Sequence, residues 1–350
     1  MENTQSKQRL ICTHPFEWCE VHPDGRTFLC CPAWLKTPLG NLLDTPLAEL
    51  WNGPVAQQIR LGIHRSSFER CNRKRCPRLA TTTAPVQRLD QVTDPLLREA
   101  LDQKWRTLPF GPRILNLCID PRCNLACPSC RSSHLTLNQS TVERVERLLA
   151  RIRQETGASL REIRMSGYGD PLASPSLRRW LQNFDHDEFP SLERIHLHSN
   201  GLLFDAALWS SFAPVQSLIR SCEISIDAAS DATYRANRGG DFAQLLERLA
   251  FIATLPMERT LSFVVQENNL AEMEAFVTLA EGSDAAVYFS QLVNWGTFSR
   301  EEFARRAVQV PEHPRHGELL AILKRLNRRP RVDLGNLTPR LQTQNQPAEA

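Results

Sequence analysis

The sequence predicts an α/β protein: a partial (β/α)6, TIM-like barrel preceded by a small cysteine-rich domain. Three features of the 350 residues predict it. From Arg113 onward, short apolar segments alternate with amphipathic stretches of helical period. The first 80 residues are dense in Cys, Pro, Gly and Trp and hold a single helical pattern. Eleven cysteines occur, all but Cys222 at or before Cys130. A chain of this length exceeds what one hydrophobic core usually organises, so a large domain with a smaller companion is expected.

Within residues 1–80 the one helical pattern runs from Pro46 to Leu61, where Leu47, Leu50, Trp51, Val55 and Ile59 make an apolar stripe. So few long elements bury little core, and such a domain needs a metal centre or disulfides as a staple. Residues 81–110 follow as a linker with one short helix through 96–105. Strands are then expected near 114–119, 162–166, 194–198, 221–226, 260–266 and 286–290. Helices are expected between them at 140–155, 176–183, 205–212, 242–254 and 270–280. Successive β-α units dictate parallel pairing, because a parallel neighbour is reached only through a crossover. Residues 111–300 therefore read as the barrel, with functional side chains at the strand C-terminal ends. The extension 301–350 is basic from Lys324, then rich in Gln, Asn and Pro, and its end is expected to be disordered.

Lys and Arg total 42 against 39 Asp and Glu, and this balance of +3 names no partner. No apolar run approaches the ~18 residues of a membrane-spanning helix, and residues 1–7 lack a secretory pattern, so the cytoplasm is the expected location. Disulfides are disfavoured there, and an odd number of cysteines cannot all pair. Metal or redox chemistry is the better use for them.

After the first barrel strand comes Asp120-Pro121-Arg122-Cys123-Asn124-Leu125-Ala126-Cys127-Pro128-Ser129-Cys130, with the spacing C-x3-C-x2-C. Three thiolates on one loop can hold three irons of a 4Fe-4S cube and leave the fourth open to a small molecule. A zinc site is the competing reading, with His134 or Cys118 as fourth ligand.

Placed on the loop after the first strand of a partial barrel, this triplet resembles that of the radical SAM superfamily. The resemblance implies that Cys123, Cys127 and Cys130 hold a 4Fe-4S cluster whose open iron binds S-adenosyl-L-methionine. Reductive cleavage there yields a 5′-deoxyadenosyl radical that abstracts hydrogen from an unactivated C-H bond. Ser129 departs from the aromatic residue frequent before the last cysteine. Met165-Ser166-Gly167-Tyr168-Gly169-Asp170-Pro171, after the second strand, is similar to the glycine-rich acidic segment at the methionyl amine, with Asp170 as acceptor. Ser199 and Asn200 after the third strand, Ser225 and Asp227 at the end of the fourth, and Arg238-Gly239-Gly240 beyond it are similar to SAM-binding positions. Taken singly, each is common turn or cap chemistry.

The N-terminal region carries an ordered signature: Cys12-x2-Pro15-Phe16-Glu17-Trp18, Pro23-Asp24-Gly25-x4-Cys30-Cys31, Leu39-Gly40-Asn41, Trp51-Asn52-Gly53, Arg60 and Cys71-x4-Cys76. It resembles a SPASM or twitch domain, which implies an auxiliary 4Fe-4S cluster; the implied ligands are Cys12, Cys30, Cys71 and Cys76, with Cys19 and Cys31 as substitutes. Such modules usually follow the barrel, and here the module precedes it. The competing reading is a zinc module in which the basic run 70–78 contacts nucleic acid. Cys222, Tyr168 and Asp227 are the candidate catalytic residues, with Cys118 and Trp295 as further candidates for hydrogen donation or pocket lining. The resemblance implies a peptide or natural-product substrate, modified by crosslinking, oxidation or epimerisation, and an electron donor such as flavodoxin or ferredoxin. A sugar substrate is the alternative.

Overall fold

A computed structural model describes residues 10–73, 75–82 and 85–338. The tail expected to be disordered, at 339–350, lies outside them. Over the described residues the chain divides into two compact units, Met1–Pro121 with Leu137–Tyr168 and Phe184–Ile195, and Arg122–Thr136 with Gly169–Asn183 and His196–Ala350.

The strands of the first unit are β1 (Leu10–Cys12), β2 (Trp18–Val21), β3 (Arg26–Phe28), β4 (Gly40–Asn41), β5 (Val86–Arg88), β6 (Ile114–Leu117) and β7 (Glu162–Met165). Its helices are α1 (His14–Glu17), α2 (Leu47–Asn52), α3 (Pro54–His64), α4 (Pro77–Thr81), α5 (Pro95–Asp102) and α6 (Gln139–Thr156). Five strands form a sheet in the order β4-β3-β2-β6-β7, and β1 pairs separately with β5. The parallel pairs β2-β6 and β6-β7 surround the first barrel strand. Outside the expected barrel strands, at the N-terminal edge, β2-β3 and β3-β4 are antiparallel. The cause is local: Pro23-Asp24-Gly25 reverses the chain in a tight turn, with Gly25 at φ +86°. A Cβ at Gly25 would run into the Asn41 side chain.

The expected single helix over 46–61 is two helices, broken where Gly53 precedes Pro54. A proline restricts the residue before it and starts a helix well. The Trp-Asn-Gly signature and Arg60 fasten residues 106–110 to this unit. Trp51 Nε1 donates to Phe110 O at 2.7 Å, and Asn52 exchanges two hydrogen bonds with the Leu108 backbone. Arg60, fully buried, donates to Pro15 O, Asn52 Oδ1 and Arg106 O, with its guanidinium 4.7 Å from the Trp51 ring centre. Opposite the sheet, α6 buries Val145, Leu148, Leu149 and Ile152, the i, i+3, i+4, i+7 stripe. Each such side chain stabilises by roughly 1.5–3 kcal/mol.

The second unit contains α7 (Pro175–Gln182), β8 (Arg194–Ser199, from His196 onward), α8 (Ala206–Ser211), β9 (Ile219–Ser225), α9 (Asp231–Arg238), α10 (Phe242–Ala253), β10 (Glu258–Val265), α11 (Met273–Gly282), β11 (Ala286–Gln291), α12 (Arg300–Arg306), α13 (His316–Leu326) and β12 (Val332–Asp333). Its strands lie side by side in chain order, β8 to β12, and the β9-β10, β10-β11 and β11-β12 pairs are parallel. All six expected barrel strands are present, β6 and β7 in the first unit and β8 to β11 in the second, and the fold class is α/β with a cysteine-rich N-terminal region. Helix α9, absent from the sequence reading, is capped by Ser230 and ended by Gly239 at φ +72°. Among the described residues no helix is long and apolar enough to cross a membrane.

Candidate active site

In the second unit, loops from the ends of several elements meet at the cysteine triplet. Cys127 is 6% exposed, Cys123 is half-buried and Cys130 is exposed. The Cys127 carbonyl accepts from Cys130 N and Arg131 N, which tightens the loop into a turn. The Cys127 thiol donates to the Arg238 carbonyl at 3.6 Å, and Asn200 Nδ2 reaches Cys123 Sγ at 3.7 Å and Asn124 Oδ1 at 2.8 Å.

Asp170 anchors that Asn200. Its buried carboxylate accepts from Ser199 Oγ (2.9 Å), Asn200 N (2.7 Å) and Leu172 N (2.9 Å), while Asp170 N donates to Arg122 O. Burial pushes the Asp170 carboxyl up, and these donors only partly counter it. Asp170, Ser199 and Asn200 thus spend their side chains on one another and on the cluster loop.

Arg238 and Asp227 behave similarly. Asp227 sits at φ +61°, 1% exposed, and its carboxylate accepts from Arg238 Nη1 (3.0 Å) and Val264 N (2.7 Å). Burial would lower the Arg238 pKa, but Cys127 and Asp227 outweigh it and hold it above the ordinary value. In turn, burial raises the Cys127 and Cys123 thiols and the Arg238 charge opposes the rise. This fits a loop built for anionic sulfur: a fixed cation faces thiols that burial alone would keep protonated.

The strands present a polar face. Ser225 Oγ lies 2.7 Å from His198 Nε2 and 3.2 Å from Ser262 Oγ, and His196 Nδ1 lies 2.8 Å from Ser221 Oγ. Strand alternation puts Ser221, Glu223 and Ser225 on this side and Cys222 with Ile224 on the other. Ile224 meets Gly201 together with Leu245 of α10, so the Cys222 side of β9 is the helix-packed layer. Cys222 is 1% exposed, and both Asp227 carboxylate oxygens are engaged by Arg238 and Val264 N. Tyr168 is 51% exposed on the turn after β7, between Gly167 (φ +90°) and Gly169 (φ +79°), and Trp295 projects from the loop after β11.

In the first unit, all six N-terminal cysteines are free thiols, as are the other five. Cys12 ends β1, Cys30 and Cys31 follow β3, Cys71 lies beyond α3, and Cys76 precedes α4. Burial raises the Cys12 and Cys30 thiols, and Cys12 is further opposed by Cys71 and Cys76, as Cys30 is by Cys12 and Cys76. Cys71 is pushed up to about 11 by burial and then by Cys76. Burial and then Glu20 raise the Cys31 thiol, with a smaller contribution from Cys76, and burial and then Glu20 raise that of Cys19. An all-sulfur set that burial keeps neutral when bare fits a cationic iron–sulfur core. Trp34 Nε1 donates to Cys30 Sγ at 3.2 Å, and His14 Nδ1 lies 3.5 Å from that sulfur with its ring stacked on Trp18. Sequence reasoning missed Trp34 and His14, because no spacing marks a donor to a sulfur.

Residues 12–77 match the family model of the SPASM domain, described as an iron-sulfur cluster-binding domain. A curated relative, the GTP 3′,8-cyclase of Caulobacter vibrioides, is 25% identical over 213 residues, which is 59% of this chain and 56% of the relative. The chain thus matches little more than half of that relative. Among solved structures, Streptococcus suis SuiB bound to the precursor peptide SuiA aligns with 87% of this chain and 67% of its own at 10% identity and a TM-score of 0.47. Native anSMEcpe with bound AdoMet aligns with 52% of this chain and 51% of its own at 17% identity and a TM-score of 0.39.

Proposed function

We propose that this chain is a radical S-adenosylmethionine enzyme with an N-terminal SPASM-type iron–sulfur domain, using 4Fe-4S clusters and SAM, and that it abstracts hydrogen from a C-H bond of a peptide or peptide-derived natural product. Cys123, Cys127 and Cys130 hold the SAM-binding cluster, and Cys12, Cys30, Cys71 and Cys76 hold the auxiliary one. When bound, the first cluster and SAM supply the 5′-deoxyadenosyl radical. The chain's own residues then position and insulate. Gly167 and Gly169 let backbone approach the methionyl group, Asp170, Ser199 and Asn200 fix the loop at Cys123, and Arg238 balances charge at Cys127. Ser225 belongs to the polar face toward the substrate. Residues 1–80 form the auxiliary domain, 81–110 the linker and 111–300 the barrel.

The observation that carries this reading is the buried Arg238. Its carbonyl takes the Cys127 thiol at 3.6 Å, while its guanidinium is held by Asp227 at 3.0 Å. A cation so placed pairs with the buried Asp227 and also opposes protonation of the Cys127 thiol, which suits a thiolate ligand. The SPASM match over 12–77 supports the auxiliary iron–sulfur cluster. The electron donor is of the flavodoxin or ferredoxin class.

Protein purified anaerobically is expected to be brown, to hold about seven or eight irons, and to release 5′-deoxyadenosine from SAM when reduced. Cys123→Ala abolishes that release. Cys76→Ala keeps uncoupled cleavage and loses product. Deuterium transfer from labelled peptides into deoxyadenosine, with sugars and GTP run beside them, identifies the substrate class; transfer from a sugar or GTP alone would reject the peptide. Colourless protein with stoichiometric zinc rejects the enzyme's cluster assignment.

A further inference from the structure

The first unit holds a set of ligating side chains that the reading above leaves unused. Glu20 lies in β2, His22 directly follows it, and Cys118 directly follows β6. The two strands are parallel with Glu20 opposite Asn116, and Cys118 N continues the ladder to Val21 O at 2.9 Å. Alternation along both strands brings Glu20, His22, Asn116 and Cys118 to one face at the strand C-terminal ends. One ligand atom each from Glu20, His22 and Cys118 lies within 4.8 Å of the other two.

Glu20 is 4% exposed and Cys118 2%. Burying a carboxylate is costly unless it is paired. Among the described residues, Glu20 is bonded by no lysine or arginine; its partners are His22 Nε2 at 2.8 Å, Asn116 Nδ2 at 3.1 Å and the Cys118 thiol. Asn116 Nδ2 also donates to Cys118 Sγ at 3.3 Å, and Ser166 Oγ donates to Asn116 Oδ1 at 2.8 Å. Two of the three donor groups are thus oriented by an amide that is itself fixed, as outer-shell partners orient metal ligands. The backbone closes over the sulfur at Gly167, where a Cβ would meet Cys118 Sγ.

We propose that Glu20, His22 and Cys118 bind a single zinc ion through one oxygen, one nitrogen and one sulfur. Mixed S, N and O donors suit zinc, and three protein ligands leave a fourth position open, the form of a catalytic rather than a structural site. Binding displaces the thiol proton of Cys118 to solvent. The open position takes water or a carbonyl or hydroxyl oxygen of a bound molecule. This site goes beyond the cluster assignments and depends on none of them.

The test uses the full-length protein with its clusters in place, incubated anaerobically with zinc sulfate and desalted. The expected result is about one zinc per chain, with X-ray absorption showing one sulfur at about 2.3 Å and nitrogen and oxygen at about 2.0–2.2 Å. Cys118→Ser and Glu20→Gln should each lower retained zinc at least ten-fold with iron content unchanged. If Glu20→Gln fails to fold, His22→Gln at the partly exposed edge gives the same readout. Failure to retain zinc, or equal retention by the variants, overturns the site. Zinc in an all-sulfur shell with little iron overturns it too, and separately rejects the iron–sulfur reading of the N-terminal cysteines.

Discussion

Arg238 donates to Asp227 at 3.0 Å in a setting where the arginine side chain is 14% exposed and the aspartate 2%. A pair this buried contributes little over an apolar alternative, but breaking it strands a charge at a cost of about 3–5 kcal/mol. Asp227→Asn keeps a residue that tolerates φ +61°, removes the charge and replaces one of the two acceptor oxygens by an amide donor. A loss of about 3 kcal/mol in denaturant unfolding is expected, together with lower iron at the SAM-site triplet. Wild-type stability in this variant would mean that Arg238 does not need its partner.

Asp170→Asn replaces one oxygen by an amide donor facing Asn200 N, Leu172 N and Ser199 Oγ. Each buried donor left unpaired costs about 1–3 kcal/mol. Because Asn200 in turn holds Cys123, deoxyadenosine formation should fall by roughly ten-fold or more, about 1.4 kcal/mol in the barrier. Single-turnover assays with saturating SAM check this, and an unchanged rate would remove Asp170 from the positioning chain.

Trp34→Phe deletes the indole N–H that reaches Cys30 Sγ at 3.2 Å. A donor to sulfur favours the more negative, reduced cluster, so its loss lowers the reduction potential. A net bond of about 1 kcal/mol corresponds to roughly 40 mV for one electron. An EPR-monitored redox titration reads the shift, and an unchanged or raised potential contradicts Cys30 as a ligand.

Asp94 caps α5 through Leu97 N and pairs with Arg113 at 2.6 Å. Burial acts to raise its pKa, but Arg113 and the Leu97 N–H outweigh it and leave it below the ordinary 3.8. A carboxyl depressed on folding stabilises above the unfolded value and loses that contribution as pH falls through the folded one. The stability gap between wild type and Asp94→Asn is therefore expected to be about 2–3 kcal/mol at pH 7 and to close below pH about 4. Thermal unfolding across that range measures it; a gap that widens on acidification would contradict the pairing.

Cys222→Ser should cost about 1–2 kcal/mol, from a hydroxyl buried on the helix-packed side of β9. Deoxyadenosine yield and the isotope content of product should not change. Loss of solvent hydrogen incorporation in this variant would identify Cys222 as a hydrogen donor.

Much of the barrel was legible. The apolar strands of β6 to β11 carry a period that only one secondary structure satisfies, and β8 to β11 lie side by side in chain order. Helix α9 was not, because Ser230 and Gly239 mark its ends but its interior is almost wholly polar. Helix α13 was hidden in a tail judged on its basic and polar composition, although it buries Leu319, Leu320, Ile322, Leu323 and Leu326.

By itself, the sequence determined that Cys123, Cys127 and Cys130 share one short loop after the first barrel strand, since spacing along one loop is a local property of the chain. Which side chains are free to act was decided by tertiary structure alone. Asp227, Asp170 and Asn200 carry the right groups, yet their oxygens and amides are taken by partners 11 to 76 residues away. Glu20 and Cys118 read as unrelated until β2 paired in parallel with β6 and turned both to one face. Burial and strand register depend on contacts distant in sequence, and no single segment encodes them.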